Sequence, residues 1–281
     1  QKGSNKGKTF HAAAQRACAY LVEASGAKDL ADYSRTDALK YRDYLIAKGM
    51  AGSSVSRVIS SIRAVMNFAI SEYALDLKNP FVGMYHDRLA GVSKRLPIPI
   101  EDIRKVQQQC LSLDDDLRWL VALVSDTGMR LAEVSGLLKT DIILDEDIPF
   151  IRVQPHSWRK LKTAGSERDV PLVGVSLWAA QRLLDAYPDS GYAFPRYNKT
   201  TITNANSASA ALNKWLHPYV PNGCTMHSFR HSMRDRLRAV ECPADVVDQI
   251  GGWTTGGVGQ GYGSGYSLEV CFRWMKKMEE K

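Results

Sequence analysis

The sequence predicts a mainly α-helical chain of two domains. A small all-helical N-terminal domain precedes a mixed, mostly helical one that carries a small antiparallel sheet. Three observations lead there. Apolar residues recur at helical spacing through the first 85 or so positions. A run from His86 to Pro99 then mixes basic residues with Gly91, Pro97 and Pro99 and keeps no period. Beyond it, only Phe150-Ile151-Arg152-Val153 and Arg168-Asp169-Val170-Pro171-Leu172 read as paired strands. With 281 residues, 44% apolar and 24% charged, the chain has the composition of a folded globule and the length for two such domains.

Residues 9–25 read as the first helix, with Phe10, Ala13, Ala14, Ala17 and Leu21 on one side and Gly26 as its stop. Thr36 is placed to cap a second, whose apolar face includes Leu39, Tyr44, Leu45 and Ile46 and which ends at Gly49. Ser53 or Ser54 opens a third, in which Val55, Val58, Ile59, Ile62, Val65, Met66 and Ala69 follow the amphipathic rule. Asn79-Pro80-Phe81 stops the helical pattern. The first domain is thus expected over 1–88, the linker over about 86–99 and the second domain over 97–281. There, helices are expected at 101–112, 115–125, 130–138, 175–186, 206–216, 227–239 and 244–250, and a basic loop, His156 to Glu167, joins the two strands. Val270, Cys271, Phe272, Trp274 and Met275 make Ser267–Lys281 a short amphipathic helix.

Charge is unevenly divided. Residues 1–96 hold 15 Lys and Arg against 8 Asp and Glu, whereas residues 97–281 hold 22 of each, so the whole excess of +7 lies in the first third. A polyanionic partner follows, nucleic acid first, because neutralising phosphates releases counterions. Arg57 and Arg63 on the polar side of the third helix, and Lys94 and Arg95 in the linker, are the candidate DNA contacts. No run of 18 or more apolar residues exists, which excludes a transmembrane helix. The start, Gln1 to Lys8, lacks the apolar core of a signal peptide, and the natural chain is expected to continue upstream. Five scattered cysteines form no CxxC pair, which points away from disulfides and zinc and toward a reducing, cytoplasmic setting. No metal-ligand cluster and no cofactor motif is visible.

Four local features carry the chemistry. In Thr127-Gly128-Met129-Arg130-Leu131-Ala132-Glu133, Gly128 permits a tight turn that presents Arg130 at a helix start, with Glu133 one turn on to steady it. Lys162 lies at the tip of the basic loop. His227 and Arg230 in His227-Ser228-Phe229-Arg230 share a helix face and pair a titratable donor with a permanent cation, suited to phosphate oxygen. Trp253 and Tyr262 sit in a segment with eight glycines between 251 and 265, too glycine-rich for a rigid helix. Each feature alone fits an ordinary surface pair, hairpin lysine or loop.

In chain order, Arg130, Lys162, His227-x-x-Arg230, Trp253 and Tyr262 resemble the active site of the tyrosine recombinases, the phage integrase family, over essentially the whole chain. The resemblance implies a helical core-binding domain and a catalytic domain that clamp duplex DNA, and strand cleavage by Tyr262 through a 3′-phosphotyrosyl bond without metal or ATP. It implies that Arg130 and Arg230 hold the phosphate, Lys162 protonates the leaving 5′ oxygen, His227 assists with the tyrosine proton, Trp253 adds a hydrogen bond and Glu133 supports from behind. It also implies site-specific recombination or integration for a mobile genetic element. The working unit would be a homotetramer on DNA, monomeric or dimeric when free, with accessory DNA-bending or directionality proteins. Tyr266 and Lys160 stay open as alternatives to Tyr262 and Lys162. A type IB topoisomerase, or a non-catalytic DNA-binding protein of the same fold, stays open as another function. The C-terminal helix packs either on its own domain or on a neighbouring subunit.

Overall fold

The computed structural model describes residues 8–199, 202–253 and 265–281, in two units, Gln1–Lys94 and Arg95–Lys281. In the first, helices α1 (Lys8–Ser25), α2 (Arg35–Ala47) and α3 (Gly52–Glu72) pack around Ala17, Leu21, Ala38, Tyr41, Leu45, Val55, Ile59, Ile62 and Met66, with Phe81 closing the core. Spacing in α3 follows its apolar stripe. Elsewhere three expectations need correction. Ser34, not Thr36, caps α2, because Ser34 and Asp37 form a reciprocal capping box that leaves Thr36 inside the first turn. The buried face of α2 is Ala38, Tyr41 and Leu45, and Ile46 points outward. Helix α3 begins at Gly52, before either serine, with Ala51 as its N-cap.

The segment read as a linker is fastened at both ends. The Gly52 N–H donates to the Ala90 carbonyl at 2.7 Å, and the His86 Nε2 lies 2.7 Å from the Ser56 hydroxyl. Gly52 has no room for a side chain, since a Cβ there would meet the Asp87 carbonyl oxygen at 2.0 Å. In the second unit, Ile98 donates to and accepts from the Ser232 hydroxyl.

The second unit comprises α4 (Ile100–Leu113), α5 (Asp116–Thr127), α6 (Leu131–Ser135), β1 (Ile142–Ile143), β2 (Phe150–Val153), β3 (Arg168–Pro171), α7 (Gly174–Asp185), β4 (Asn198–Lys199), β5 (Ile202–Thr203), α8 (Ala205–Leu216), α9 (Ser228–Ala239), α10 (Ala244–Gly251) and α11 (Leu268–Glu280). Its sheet is antiparallel in the order β1-β2-β3, with Phe150 opposite Pro171 and Val153 opposite Arg168. Helix α5 is buried along its whole second half, Leu120 to Thr127, and packs on α4, α7 and α9. Its Asp126 carboxylate accepts the Val175 and Ser176 N–H groups at the start of α7, which fixes α7 against it.

The helix expected over 130–138 stops at Ser135. Side chains occupy the groups a longer helix would use: Arg159 binds the Glu133 carbonyl, Asn198 the Ser135 carbonyl, and Asp141 the Leu138 N–H. The two-residue strand β1 and the β4–β5 pair went unanticipated, being too short to show a period. Helix α11 buries Cys271, Met275 and Met278 in its own unit against α9 and β3. Among the described residues, no helix is long and apolar enough to cross a membrane.

Met275 is fully buried, so Met275→Ala is expected to destabilise the second unit by about 2–5 kcal/mol in urea denaturation followed by circular dichroism. A shift below about 0.5 kcal/mol, the size of an ordinary surface substitution, would mean that α11 is undocked in solution.

Candidate active site

Two glycines in the left-handed region end the helices that frame the site. Gly128 (φ +57°) ends α5 and Gly252 (φ +61°) ends α10. Gly128 is also confined, because a Cβ there would approach Met233 Cε at 2.7 Å. The turn it permits leads at once into Arg130, the N-cap of α6. Arg130 Nη1 donates to Glu133 Oε1 at 2.5 Å and to Ser166 Oγ at 3.0 Å, and Nη2 donates to the Gly252 carbonyl at 3.2 Å. Glu133 Oε2 accepts the Arg130 backbone N–H at 3.0 Å and Arg168 Nη2 at 3.1 Å. Burial pushes the Glu133 carboxyl up, but the Arg168 charge and the donors from Arg130 and Arg168 outweigh it and hold it below its ordinary value. Glu133 is therefore an anion at neutral pH.

Arg230, in the first turn of α9, is 3% exposed. Its Nη1 donates to the Gly128 carbonyl at 2.8 Å and its Nη2 to the Gly251 carbonyl. The Trp253 ring stands 4.3 Å from its guanidinium carbon and 4.8 Å from that of Arg234, which pairs with Asp248 at 3.0 Å. Trp253 lies so close over Gly251 that a Cβ there would fall 1.9 Å from the indole. Burial, then the charges of Arg130 and Arg168, push Arg230 down to about 9, which still leaves it cationic at pH 7.

His227 is the N-cap of α9, exposed on its outer side, with the His231 ring 5.4 Å away edge to face. Partial burial, then the charges of Arg95, His231, Arg230 and Arg130, push its pKa down to about 4. Exposure weakens the burial effect, but the cations act in the same direction, so the imidazole is neutral at pH 7.

Arg130, Glu133, Arg230 and Trp253 thus gather at the ends of α5 and α10, and His227 opens the helix that carries Arg230. Lys162 is exposed on the β2–β3 loop and pairs with no other described residue; Lys160 is exposed as well. The next residue, Thr163, shares a hydrogen bond of 2.9 Å with Ser166, the partner of Arg130. Tyr262 lies outside the described residues. Tyr266 is held on α10: its backbone N–H and carbonyl both bind the Gln249 amide at 2.7 Å, and its phenol donates to Asp245. Asp245 is in the first turn of α10 and Gly251 at its end, which separates them by about 9 Å along the helix axis. Arg57 and Arg63 are exposed on α3, and Lys94 and Arg95 are exposed too.

Sequence reasoning missed Ser166, Arg234 and the carbonyls of Gly128, Gly251 and Gly252, and read Arg168 only as part of a strand. Arg168 is buried and bridges Glu133, the Ser166 carbonyl and the Ile250 carbonyl. Among the described residues, no group of three or more His, Cys, Asp or Glu could hold a metal ion.

A sequence model of the phage integrase family matches residues 100–263, more than half of the chain. The stretch runs from the start of α4 past Tyr262, and the chain belongs to that family. Tyrosine recombinase XerD of Halalkalibacterium halodurans is 29% identical over 156 residues, 54% of this chain and 48% of that protein, so the chain spans about half the length of this curated relative. The Tn1549 transposon integrase, solved with circular intermediate DNA, shares the fold with a TM-score of 0.69 at 16% identity, covering 98% of this chain and 95% of that one. The lambda integrase tetramer bound to a Holliday junction gives 0.66 at 12% identity, covering 92% and 73%.

Glu133 is the carboxylate shared by Arg130 and Arg168, so Glu133→Gln, which leaves the guanidiniums without their anion, is expected to cost about 3–5 kcal/mol of stability in urea denaturation. A loss below about 1 kcal/mol would show that other groups balance these cations.

Proposed function

We propose that the protein is a site-specific DNA recombinase that cleaves and rejoins duplex DNA through a phosphotyrosyl intermediate. One observation carries the reading. Two guanidiniums, Arg130 and Arg230, are anchored to the end of α10, through the Gly252 and Gly251 carbonyls, and are crowded by Arg168 with Glu133 as the partner anion. A surplus of fixed positive charge suits a phosphodiester whose charge builds during attack.

In the proposed reaction the Tyr262 hydroxyl attacks the scissile phosphorus and the 5′ oxygen departs, leaving a 3′-phosphotyrosyl bond. Arg130 and Arg230 hold the non-bridging oxygens, and the Trp253 indole N–H donates to the same phosphate. Neutral His227 takes the phenol proton, and Lys162 protonates the 5′ oxygen. Glu133 orients Arg130. The bond energy is kept in the covalent link, so rejoining needs no ATP. Arg57, Arg63, Lys94 and Arg95 contact DNA phosphates. The protein works in the cytoplasm as a homotetramer on two duplexes, free as monomer or dimer, with accessory DNA-bending proteins, and serves a mobile genetic element.

Incubating the protein with a pool of nicked duplexes tests this. Intact protein and Tyr266→Phe are expected to form an SDS-resistant adduct, and Tyr262→Phe none. Loss only in Tyr266→Phe would move the nucleophile. Tight binding without any adduct would leave a DNA-binding protein, and supercoil relaxation without exchange between duplexes a topoisomerase.

His227 supplies a pH signature. Its folded pKa of about 4 lies below the ordinary 6.5, so the unfolded chain binds that proton first and stability falls as pH drops from 6.5 toward 4. Its ring resonances are expected to titrate below pH 5 in NMR, and adduct formation to hold its rate through pH 6. A midpoint near 6.5 would remove the neutral base from the scheme.

A further inference from the structure

The strongest arrangement of polar groups outside the catalytic set lies at the root of the β2–β3 loop. Arg159, 4% exposed, stands three residues before Lys162. Its Nη1 donates to the Glu133 carbonyl at 2.7 Å and its Nη2 to the Gln154 carbonyl at 2.5 Å. A two-residue turn, Ser157-Trp158, is closed by paired backbone hydrogen bonds between His156 and Arg159 at 3.0 and 3.1 Å. His156 Nε2 lies 2.8 Å from Oδ2 of the fully buried Asp141, and its ring stacks on Trp158 at 4.6 Å and 6°. Trp158 donates to the Gly136 carbonyl at 3.3 Å. Gly136 itself must be glycine-sized, because a Cβ there would meet Arg159 Cδ at 2.6 Å.

A solvated hairpin needs none of this. Burying a guanidinium is costly unless hydrogen bonds compensate it; both terminal nitrogens of Arg159 find a carbonyl acceptor, while its Nε has no partner among the described residues. Here one acceptor belongs to Glu133, whose carboxylate binds Arg130 and Arg168. At the far end of the loop, Ser166 binds Arg130 and Arg168 binds Glu133. Both roots are therefore nailed around the residue that holds the phosphate-binding arginine, with exposed Lys162 between them. We infer that Arg159 is a positioning residue: with His156, Trp158 and Asp141 it fixes the root of the loop against α6, so that the Lys162 ammonium meets the departing 5′ oxygen at a set place.

This inference rests on the recombinase reading, in which the Tyr262 oxygen–phosphorus bond forms as the phosphorus–5′ oxygen bond breaks. The 5′ oxygen takes a proton from the Lys162 ammonium, which becomes a neutral amine, and the phenol proton goes to His227. A duplex with sulfur in place of that bridging oxygen releases a thiolate, whose thiol has a pKa of about 8.5 and which leaves without being protonated by an acid. The probe is the duplex recovered in the trapping experiment, made with oxygen or with sulfur at the mapped bond.

Arg159→Met and Trp158→Ala are expected to lose about 10- to 100-fold in cleavage rate on the oxygen duplex. Like Lys162→Ala, both should return to within about threefold of the intact protein on the sulfur duplex. Trp158 is only half-buried, so its variant keeps the comparison alive if Arg159→Met fails to fold. Equal losses on both duplexes, or no loss on oxygen, would overturn the positioning role. Failure of sulfur to rescue Lys162→Ala would instead remove Lys162 as the acid and this inference with it. An intact protein that forms no adduct would overturn the recombinase reading itself.

Discussion

One buried carboxylate organises the second unit. Glu133 is 2% exposed and gathers Arg130 and Arg168 on its side chain and Arg159 on its backbone carbonyl. These contacts draw α6, β3 and the root of the β2–β3 loop to one point. A carboxylate so deeply buried would ordinarily gain a proton; here the guanidiniums keep it charged. The dependence is mutual, since the cations are tolerable only because the anion is there. Removing the charge therefore disturbs the fold and the site together.

The shortness of α6 belongs to the same arrangement. A five-residue helix is poor by propensity alone. It persists because the side chains of Arg159, Asn198 and Asp141 supply what further helical turns would have supplied. The backbone groups set free are the ones the loop and the β4–β5 pair use as anchors, so local helix stability is exchanged for a fixed junction beside the phosphate-binding groups.

Periodicity made the long elements legible. The apolar stripe of α3 and the matched strands β2 and β3 needed no tertiary knowledge to find. The set Arg130, Lys162, His227, Arg230 and Trp253 came from the resemblance of its chain order to a known family, since each of these residues taken alone fits an ordinary surface role. What stayed hidden depends on partners far apart in sequence. Ser34 beats Thr36 as a cap because Asp37 completes the box. Arg168 finds its carboxylate 35 positions earlier. The carbonyls of Gly128 and Gly251 have no signature at all, because every residue has a carbonyl and only the fold says which ones point inward.

Those carbonyls have one more property. The grip on Arg230, and part of that on Arg130, is exerted by the last peptide groups of α5 and α10, where each helix presents the negative end of its dipole. Peptide oxygen neither gains nor loses a proton across the range in which proteins stay folded. The clasp on Arg230 is thus set by geometry rather than by acidity, whereas Arg130 shares its grip with the Glu133 carboxylate. The carbonyls add no formal negative charge to compete with an incoming phosphate. Gly128 and Gly252 accordingly work as electrical fittings: by bending the chain where they do, they turn two helix ends into uncharged counterions.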